Sequence, residues 1–285
     1  MKRIHQLNNG ISPAEQLHEA LKKRGFLSSV DGDLVLVSGG NGCNDYSDLR
    51  QFLEGNGIPA CYSGEQVQIL CPVLPGTYMA KLSALPVRYS RPNIPNGFHS
   101  WRAFTKRNHG VKWNTLSLDR GIAYLVKTMS EAGILVTGGC DGHGRQEPRV
   151  YFASAYAAAW FDVIRRNSFA EFKLNYRWEV VEGSDNTSPR LQAVREQDSP
   201  WSMRMIREDA MTLGDWLRKD ADRLRRARRE TFKNRSMKLD AERMSASFTG
   251  LCSWMENMTN PRERDSNEQS DCNGREHEGS YEGAV

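Results

Sequence analysis

The chain has 285 residues, a formal net charge of +4 and a mean hydropathy of −0.64, and 39% of its residues are hydrophobic. This composition is polar but still allows a globular fold, and a chain of this length can bury a substantial core. No run of about 18 apolar residues occurs, so no transmembrane helix is expected. The polar N-terminus lacks the apolar segment of a signal peptide, and a cytoplasmic location is therefore expected.

Residues 1–96 are predicted to form an N-terminal α/β region. Ser12 to Glu15 has the pattern of a capping box with proline at the first helical position, and Gly25 is expected to end that helix. Short apolar runs at 34–37 and 67–71 indicate strands.

Six cysteines are present, and none of them forms a C-x-x-C pair. In a cytosolic protein of this size we expect free thiols rather than disulfides. Cys61 and Cys71 lie in apolar surroundings, which predicts that both are core residues.

Residues 97–200 are predicted to form a central α+β core. Helices are expected at 118–132 and 155–166, followed by a half-buried strand at 172–181 with alternating apolar and polar residues. Between the two helices, two short apolar runs enter and leave a glycine-rich loop.

This loop holds Cys140, Asp141 and His143 among four glycines. Glycine is favoured where a backbone needs a positive φ angle or a close approach, so we expect a loop of specified shape with reactive side chains at its tip. It is the strongest candidate site in the sequence.

Residues 201–256 are predicted to form a charged helical region, and residues 257–285 a disordered tail. The arginine-rich segment 220–230 is typical of a solvated or partner-facing helix and would also suit a nucleic-acid contact. These regions together predict the α+β class: a mixed sheet with flanking helices, a long charged C-terminal helix and a disordered acidic tail.

Metal binding is one possible chemistry for the glycine-rich loop. Cys140 and His143 have the spacing of two zinc ligands, and Asp141 could assist them. A closed structural site needs four ligands. The others would have to come from distant residues such as His99, His109 or Cys43. No second ligand pair occurs, so neither a metal nor a cofactor is predicted.

Two other chemistries stay open for the same loop. Cys140 and His143 could form a thiolate–imidazolium pair for nucleophilic catalysis. The glycines could instead expose backbone N–H groups to an anion such as phosphate, helped by Arg145 and Arg149, but the pattern is neither of the two common phosphate-loop motifs.

A basic stretch with interleaved aromatic residues precedes the loop. From 81 to 127 there are nine basic residues and one acid, Asp119. Within this stretch Trp101 could stack on bases while Arg102, Lys106 and Arg107 contact phosphates. The alternative is that the aromatic side chains belong to the core and the charges to an ordinary surface. A nuclease would also need a carboxylate cluster for Mg²⁺, which Asp119 alone does not supply.

Two segments carry a family resemblance. They are Gly97-Phe-His-Ser-Trp-Arg-Ala-Phe104, and Gly138-Gly-Cys-Asp-Gly-His-Gly144 with the Pro148-Arg-Val-Tyr-Phe152 run and the Trp160-Phe161 helix behind it. Together they resemble phage-encoded anti-defence proteins that inhibit the bacterial Gabija system. The resemblance implies a self-associating inhibitor in the host cytoplasm, which surrounds a nuclease–helicase complex and keeps DNA from its site. It also implies that the glycine-rich loop is structural.

Three functional hypotheses follow. The first is an oligomeric, phage-derived binding protein that inhibits a host defence complex, without a cofactor. The second is a nucleotide- or nucleic-acid-processing enzyme centred on Cys140, Asp141 and His143. The third is a simple nucleic-acid-binding protein. The predicted binding residues are Trp101, Arg102, Lys106, Arg107, Arg145 and Arg149.

Overall fold

The fold combines helices with two four-stranded sheets, which confirms the predicted α+β class. The computed structural model describes residues 10–37, 39–90, 92–169, 171–183, 188–195 and 200–259. All pairs of named strands in these ranges are antiparallel, so two separate antiparallel sheets stand where one mixed sheet was predicted. In the four pairs that join consecutive strands, the connections are too short for the crossover that a parallel pair requires.

The N-terminal elements surround the first sheet, whose strand order is β1-β2-β4-β3. They are α1 (Pro13–Arg24), β1 (Ser28–Asp31), β2 (Leu34–Val37), α2 (Asp45–Gly55), β3 (Ala60–Ser63), β4 (Gln66–Ile69) and α3 (Gly76–Ser83). The predicted capping box is confirmed, because Ser12 Oγ accepts from the Glu15 N–H and Glu15 Oε2 accepts from the Ser12 N–H. Gly25 ends α1 at a φ of 107°, where an added Cβ would lie 2.3 Å from the Cβ of Ala123.

The central elements surround the second sheet, whose strand order is β5-β6-β8-β7. They are α4 (Trp101–Lys106), α5 (Ala123–Glu131), β5 (Val136–Cys140), β6 (Arg149–Phe152), α6 (Ala155–Ser168), β7 (Arg177–Val181) and β8 (Arg190–Val194). The helix predicted from 118 starts later, at Ala123, and a 3₁₀ turn at Thr115–Ser117 precedes it.

Up to residue 259, four helices follow the second sheet. They are α7 (Met203–Lys219), α8 (Ala221–Thr231), α9 (Met237–Met244) and α10 (Phe248–Thr259). The charged helix predicted as one long element is therefore divided, first at Asp220. The predicted disordered tail lies outside the described residues, except for 257–259, which end α10. No helix in the described ranges is both long and apolar enough to cross a membrane.

Two hydrophobic cores serve the two sheets. The first contains buried side chains from Ala14 to Leu82, and the second contains side chains from Phe98 to Met255, so the C-terminal helices pack into the core of the central sheet. Cys61 lies outside both cores, and its predicted burial is wrong: on β3 alternate residues face solvent, and Cys61 is exposed. Cys71 is partly buried beside the first core.

A buried charge connects the two halves of the molecule. Lys127 on α5 and Asp45 at the start of α2 are both completely buried, and Lys127 Nζ lies 2.6 Å from Asp45 Oδ2. Lys127 also donates to Asn41 Oδ1 and Thr115 Oγ1, while Asp45 Oδ1 accepts from the Thr115 N–H at 2.6 Å. Burial lowers the pKa of Lys127, and the charge of Asp45 opposes this effect.

We expect Lys127→Met to lower the free energy of unfolding by about 3–5 kcal/mol, because it leaves the Asp45 carboxylate buried without its cation. The double variant Lys127→Met/Asp45→Asn should lose less than the sum of the single variants. Urea denaturation followed by circular dichroism measures both. The exposed Arg50–Glu54 pair, at 2.8 Å, supplies the control: Arg50→Ala should change stability little. Equal losses for Lys127→Met and Arg50→Ala would contradict the expectation.

Candidate functional site

The glycine-rich loop is the tip of the β5–β6 hairpin. Cys140 is the last residue of β5 and pairs with Arg149 at the start of β6. Asp141 then caps a 3₁₀ turn at Gly142–Gly144, because its Oδ1 accepts from the His143 N–H at 3.1 Å. His143 has a φ of 51° and a ψ of 29°, which makes it the single non-glycine residue with positive φ in the described chain. Such strained backbone is concentrated at functional sites.

A residue from another segment joins the loop. Asp119 lies between the 3₁₀ turn at 115–117 and α5, and its Oδ2 is 3.6 Å from His143 Nε2. Cys140 Sγ is 3.7 Å from the same nitrogen. The ligand atoms of Asp119, Cys140 and His143 all lie within 4.8 Å of one another. We call these three residues, together with Asp141, the loop cluster.

Backbone and phenol donors fix the carboxylates of the loop cluster. Asp141 Oδ2 accepts from the Gly121 N–H at 3.0 Å, and Asp119 Oδ2 accepts from the Asp141 N–H at 3.3 Å. Tyr89 donates its hydroxyl to Asp119 Oδ1 at 2.9 Å, and this hydrogen bond raises the pKa of Tyr89. Both carboxylates are only 4% exposed, so their orientations are set by these contacts rather than by solvent.

The protonation of Cys140 bears on the catalytic hypothesis. Burial raises the pKa of the Cys140 thiol, and the charges of Asp119 and Asp141 raise it further, against the hydrogen bond from the Gly142 N–H. The thiol is therefore protonated at neutral pH unless a cation lies beside it. This environment is the opposite of the electropositive one that activates catalytic cysteines, so it disfavours a thiolate–imidazolium nucleophile.

The other zinc-ligand candidates lie elsewhere. His99 Nδ1 contacts the carbonyl of Ala153, and His109 Nδ1 lies 3.3 Å from the carbonyl of Glu131. Cys43 contacts Asn44. Sequence reasoning missed Asp119 as a partner of Cys140 and His143. The feature of the sequence that could have indicated Asp119 is that it is the one acidic residue within the basic stretch 81–127.

The predicted phosphate ligands lie on the rim of the loop. Arg145 is exposed just after the 3₁₀ turn. Arg149 donates to Gln146 Oε1 at 2.7 Å and lies 3.7 Å from Glu147 Oε1, so neighbours on the loop already hold its guanidinium.

The aromatic residues between 98 and 113 of the basic stretch, Phe98, Trp101, Phe104 and Trp113, are in the core. Trp101 is 7% exposed, and four aromatic rings surround it at centroid distances of 5.1–6.1 Å. These rings belong to Phe104, Tyr156, Phe232 and Trp254. Stacking of Trp101 on a base would require this cluster to open. The core interpretation of the aromatic side chains therefore holds, and their stacking role does not.

The basic side chains of the stretch divide between surface and interior. Arg102 and Lys106 are exposed on α4, whereas Arg107 is half-buried with its guanidinium 5.4 Å from the centre of the Phe98 ring. A groove of about 550 Å³, which we call the basic groove, runs between the end of α4 and α8. It is lined by Thr105, Lys106, Asn108, His109, Asp222, Arg225, Arg226, Arg229, Glu230 and Lys233.

A buried arginine holds α8 in place beside the basic groove. Arg228 is 1% exposed and donates to the carbonyl oxygens of Arg107 and Gly133. Its guanidinium also lies 5.6 Å from the centre of the Phe104 ring. Burial lowers the pKa of Arg228 to about 10, with further lowering from Arg229 and Arg225. It remains charged at neutral pH.

A larger groove, of about 940 Å³, lies between the end of α6 and β7. Its arginines are already engaged. Arg165 and Arg166 pair with Asp162, and Arg177 lies 3.0 Å from Glu179 Oε1. It therefore offers less uncompensated charge than the basic groove.

No protein-family model, curated protein or solved structure matches the chain. The resemblance to Gabija inhibitors accordingly stays a prediction. The function has to be inferred from the chemistry of the loop cluster and of the basic groove.

Gly121 provides a test of the packing behind the loop cluster. An added Cβ would lie 2.7 Å from Asp141 Cβ and 2.9 Å from Asp141 Oδ2, so Gly121→Ala must displace that carboxylate. We expect it to lower the free energy of unfolding by about 1–3 kcal/mol. Gly76→Ala is the control, since a Cβ there meets no atom within 4 Å. Chemical denaturation measures the free energy of unfolding of both variants. An unchanged value for Gly121→Ala would contradict the described contact.

Proposed function

We propose that the protein is a binding protein that engages an acidic surface of another protein through the basic groove. The observation that carries the proposal is the convergence of exposed cations from two distant segments, Lys106 on α4 and Arg226 and Lys233 on or just after α8. Among the residues described, these three have no ion-pair partner. Cationic side chains that face solvent without partners favour association with an anionic surface.

The character of the groove favours a protein partner over nucleic acid. Asp222 and Glu230 line it beside the cations, and carboxylates there would repel a phosphate backbone. The four aromatic side chains that are interleaved with the basic residues between 98 and 113 are buried. Phe98, Trp101, Phe104 and Trp113 are all less than 10% exposed. A protein surface with acids and some bases matches such mixed charges better than a uniformly anionic strand does.

The groove is also pre-organised. Arg228 fixes α8 to the backbone at Arg107 and Gly133, and Arg229 donates to Asn108 Oδ1 at 2.9 Å across the groove. Because both walls are held by contacts of the free chain, binding costs little ordering of the backbone.

The partner that the family resemblance implies is a bacterial defence nuclease–helicase complex of the Gabija type. On this proposal the protein is a phage or prophage anti-defence inhibitor in the host cytoplasm, and it blocks access of the complex to DNA. Self-association is part of the same proposal. Light scattering of the purified protein measures it, and a monomer at all concentrations would count against this part.

Charge reversal of the groove tests the binding surface. We expect the triple variant Lys106→Glu/Arg226→Glu/Lys233→Glu to bind the purified nuclease–helicase complex at least about 30-fold more weakly, about 2 kcal/mol, because like charges then face each other. Calorimetry or biolayer interferometry measures the affinity. The matched control, Lys23→Glu/Lys173→Glu/Lys219→Glu, reverses three exposed lysines outside the groove and makes the same change in net charge.

Three results would contradict the proposal. One is wild-type protein that does not bind the complex, and another is equal loss in the control variant. The third is tight binding of a DNA duplex with a steep salt dependence, which would support the nucleic-acid-binding hypothesis instead.

The position of Asp119 beside Cys140 and His143 favours a second candidate function. It is an enzyme that processes nucleotides or nucleic acid at the loop cluster. Such an enzyme should hydrolyse nucleoside triphosphates, DNA or RNA in the presence of divalent metal ions. Cys140→Ser and His143→Asn should each lower turnover by about 100-fold or more, whereas Cys61→Ser should not. Turnover that persists in both loop variants, or none in the wild type, would remove this candidate.

A further inference from the structure

We propose that Asp119, Cys140 and His143 together bind one divalent transition-metal ion, of the zinc class. A carboxylate, a thiol and an imidazole are three of the common ligand types for Zn²⁺. Their ligand atoms lie within 4.8 Å of one another although Asp119 comes from a different segment of the chain. This inference goes beyond the proposed binding function and does not depend on it.

Two of the three distances between the ligand atoms are close to the edges of a tetrahedral site, and the third, between Cys140 Sγ and the Asp119 carboxylate, is at most 4.8 Å. With ordinary zinc–ligand bond lengths, a tetrahedron places sulfur and nitrogen about 3.6 Å apart, and nitrogen and oxygen about 3.3 Å apart. Cys140 Sγ and His143 Nε2 are separated by 3.7 Å, and His143 Nε2 and Asp119 Oδ2 by 3.6 Å. An ion can therefore be accommodated by small side-chain movements.

The groups around the ligands orient them as in known metal sites. Asp141 Oδ1 lies 3.2 Å from His143 Nδ1, whereas His143 Nε2 lies on the side of Asp119 and Cys140. Carboxylate–histidine–metal arrangements of this kind fix the tautomer of the ligand. The Gly142 N–H lies 3.4 Å from Cys140 Sγ and can donate to a thiolate, and Tyr89 holds the free oxygen of Asp119.

The electrostatics of the loop cluster also point to a cation. Asp119 and Asp141 are each 4% exposed, and their carboxylates lie 3.6 and 3.2 Å from the two ring nitrogens of His143. Neither carboxylate forms an ion pair with lysine or arginine in the described part of the chain. Two buried carboxylates on either side of one imidazole are costly unless positive charge compensates them. A protonated His143 ring supplies at most one positive charge, whereas a divalent ion supplies two.

Three protein ligands leave one position of a tetrahedron open. The His143 side chain is 57% exposed, so this position faces solvent at the tip of the hairpin. Sites of this composition hold water or an external ligand at the fourth position, unlike closed structural zinc sites with four protein ligands.

Metal titration tests the proposal directly. Purified, metal-stripped protein is titrated with Zn²⁺ in competition with a chromogenic chelator, and with Co²⁺ as a spectroscopic substitute. We expect one ion per chain and a thiolate-to-cobalt charge-transfer band. Cys140→Ser should abolish that band, and Cys140→Ser, His143→Asn and Asp119→Asn should each weaken Zn²⁺ binding by about 100-fold or more. Asn is chosen at 143 because it tolerates positive φ.

Matched variants separate this site from adventitious binding. Cys61→Ser removes an exposed free cysteine, and His99→Asn removes an exposed histidine remote from the loop cluster; neither should change the affinity. Circular dichroism shows whether each variant is folded. If Asp119→Asn does not fold, the near-isosteric Cys140→Ser variant still tests the site. No stoichiometric binding, or binding unchanged by the folded loop variants, would overturn the proposal and leave a hydrogen-bonded cluster without metal.

Discussion

The structure depends on two buried cations that join its N-terminal half to the segment before α5. Lys127 contacts the side chain of Thr115, while Arg24 on α1 donates to the carbonyl oxygens of Thr115 and Leu118 at 3.2 and 3.4 Å. Burial lowers the pKa of Arg24 to about 10. Cations removed from water in this way are tolerated only where several acceptors converge on them. The segment that carries Asp119 is therefore fixed on one side by its contacts with Arg24 and Lys127, and on the other by its contact with the β5–β6 hairpin.

The sequence predicted local features well because local chemistry determines them. The capping box at Ser12, the end of α1 at Gly25 and the glycine-rich turn around Cys140 all follow from residues within a few positions of one another. The position of Asp119 could not be predicted in this way. Helical periodicity extends through it, and its role at the loop depends on Gly121 and Asp141, which approach each other only after the hairpin packs on α5.

Burial was the second property that the sequence could not resolve. Trp101 lies in a basic stretch and Cys61 among apolar neighbours in the chain. Yet Trp101 is enclosed by aromatic rings from three other elements, while Cys61 faces solvent on an edge strand. Arg228 shows the reverse case. It is one of many arginines on a helix predicted to be solvated or partner-facing, but it is buried against the carbonyl oxygens of Arg107 and Gly133. Such contacts between distant segments leave no periodic signal.

In the basic groove, the residue that maintains the shape differs from the residues that carry the charge. The shape of the groove is maintained by an interior guanidinium, whereas its charge is carried by solvent-facing side chains such as Lys106 and Arg226. Exchanges of exposed side chains usually alter stability little. The charge of the groove can therefore be altered at its outer residues without loss of the fold, whereas replacement of Arg228 removes a contact on which the position of α8 depends.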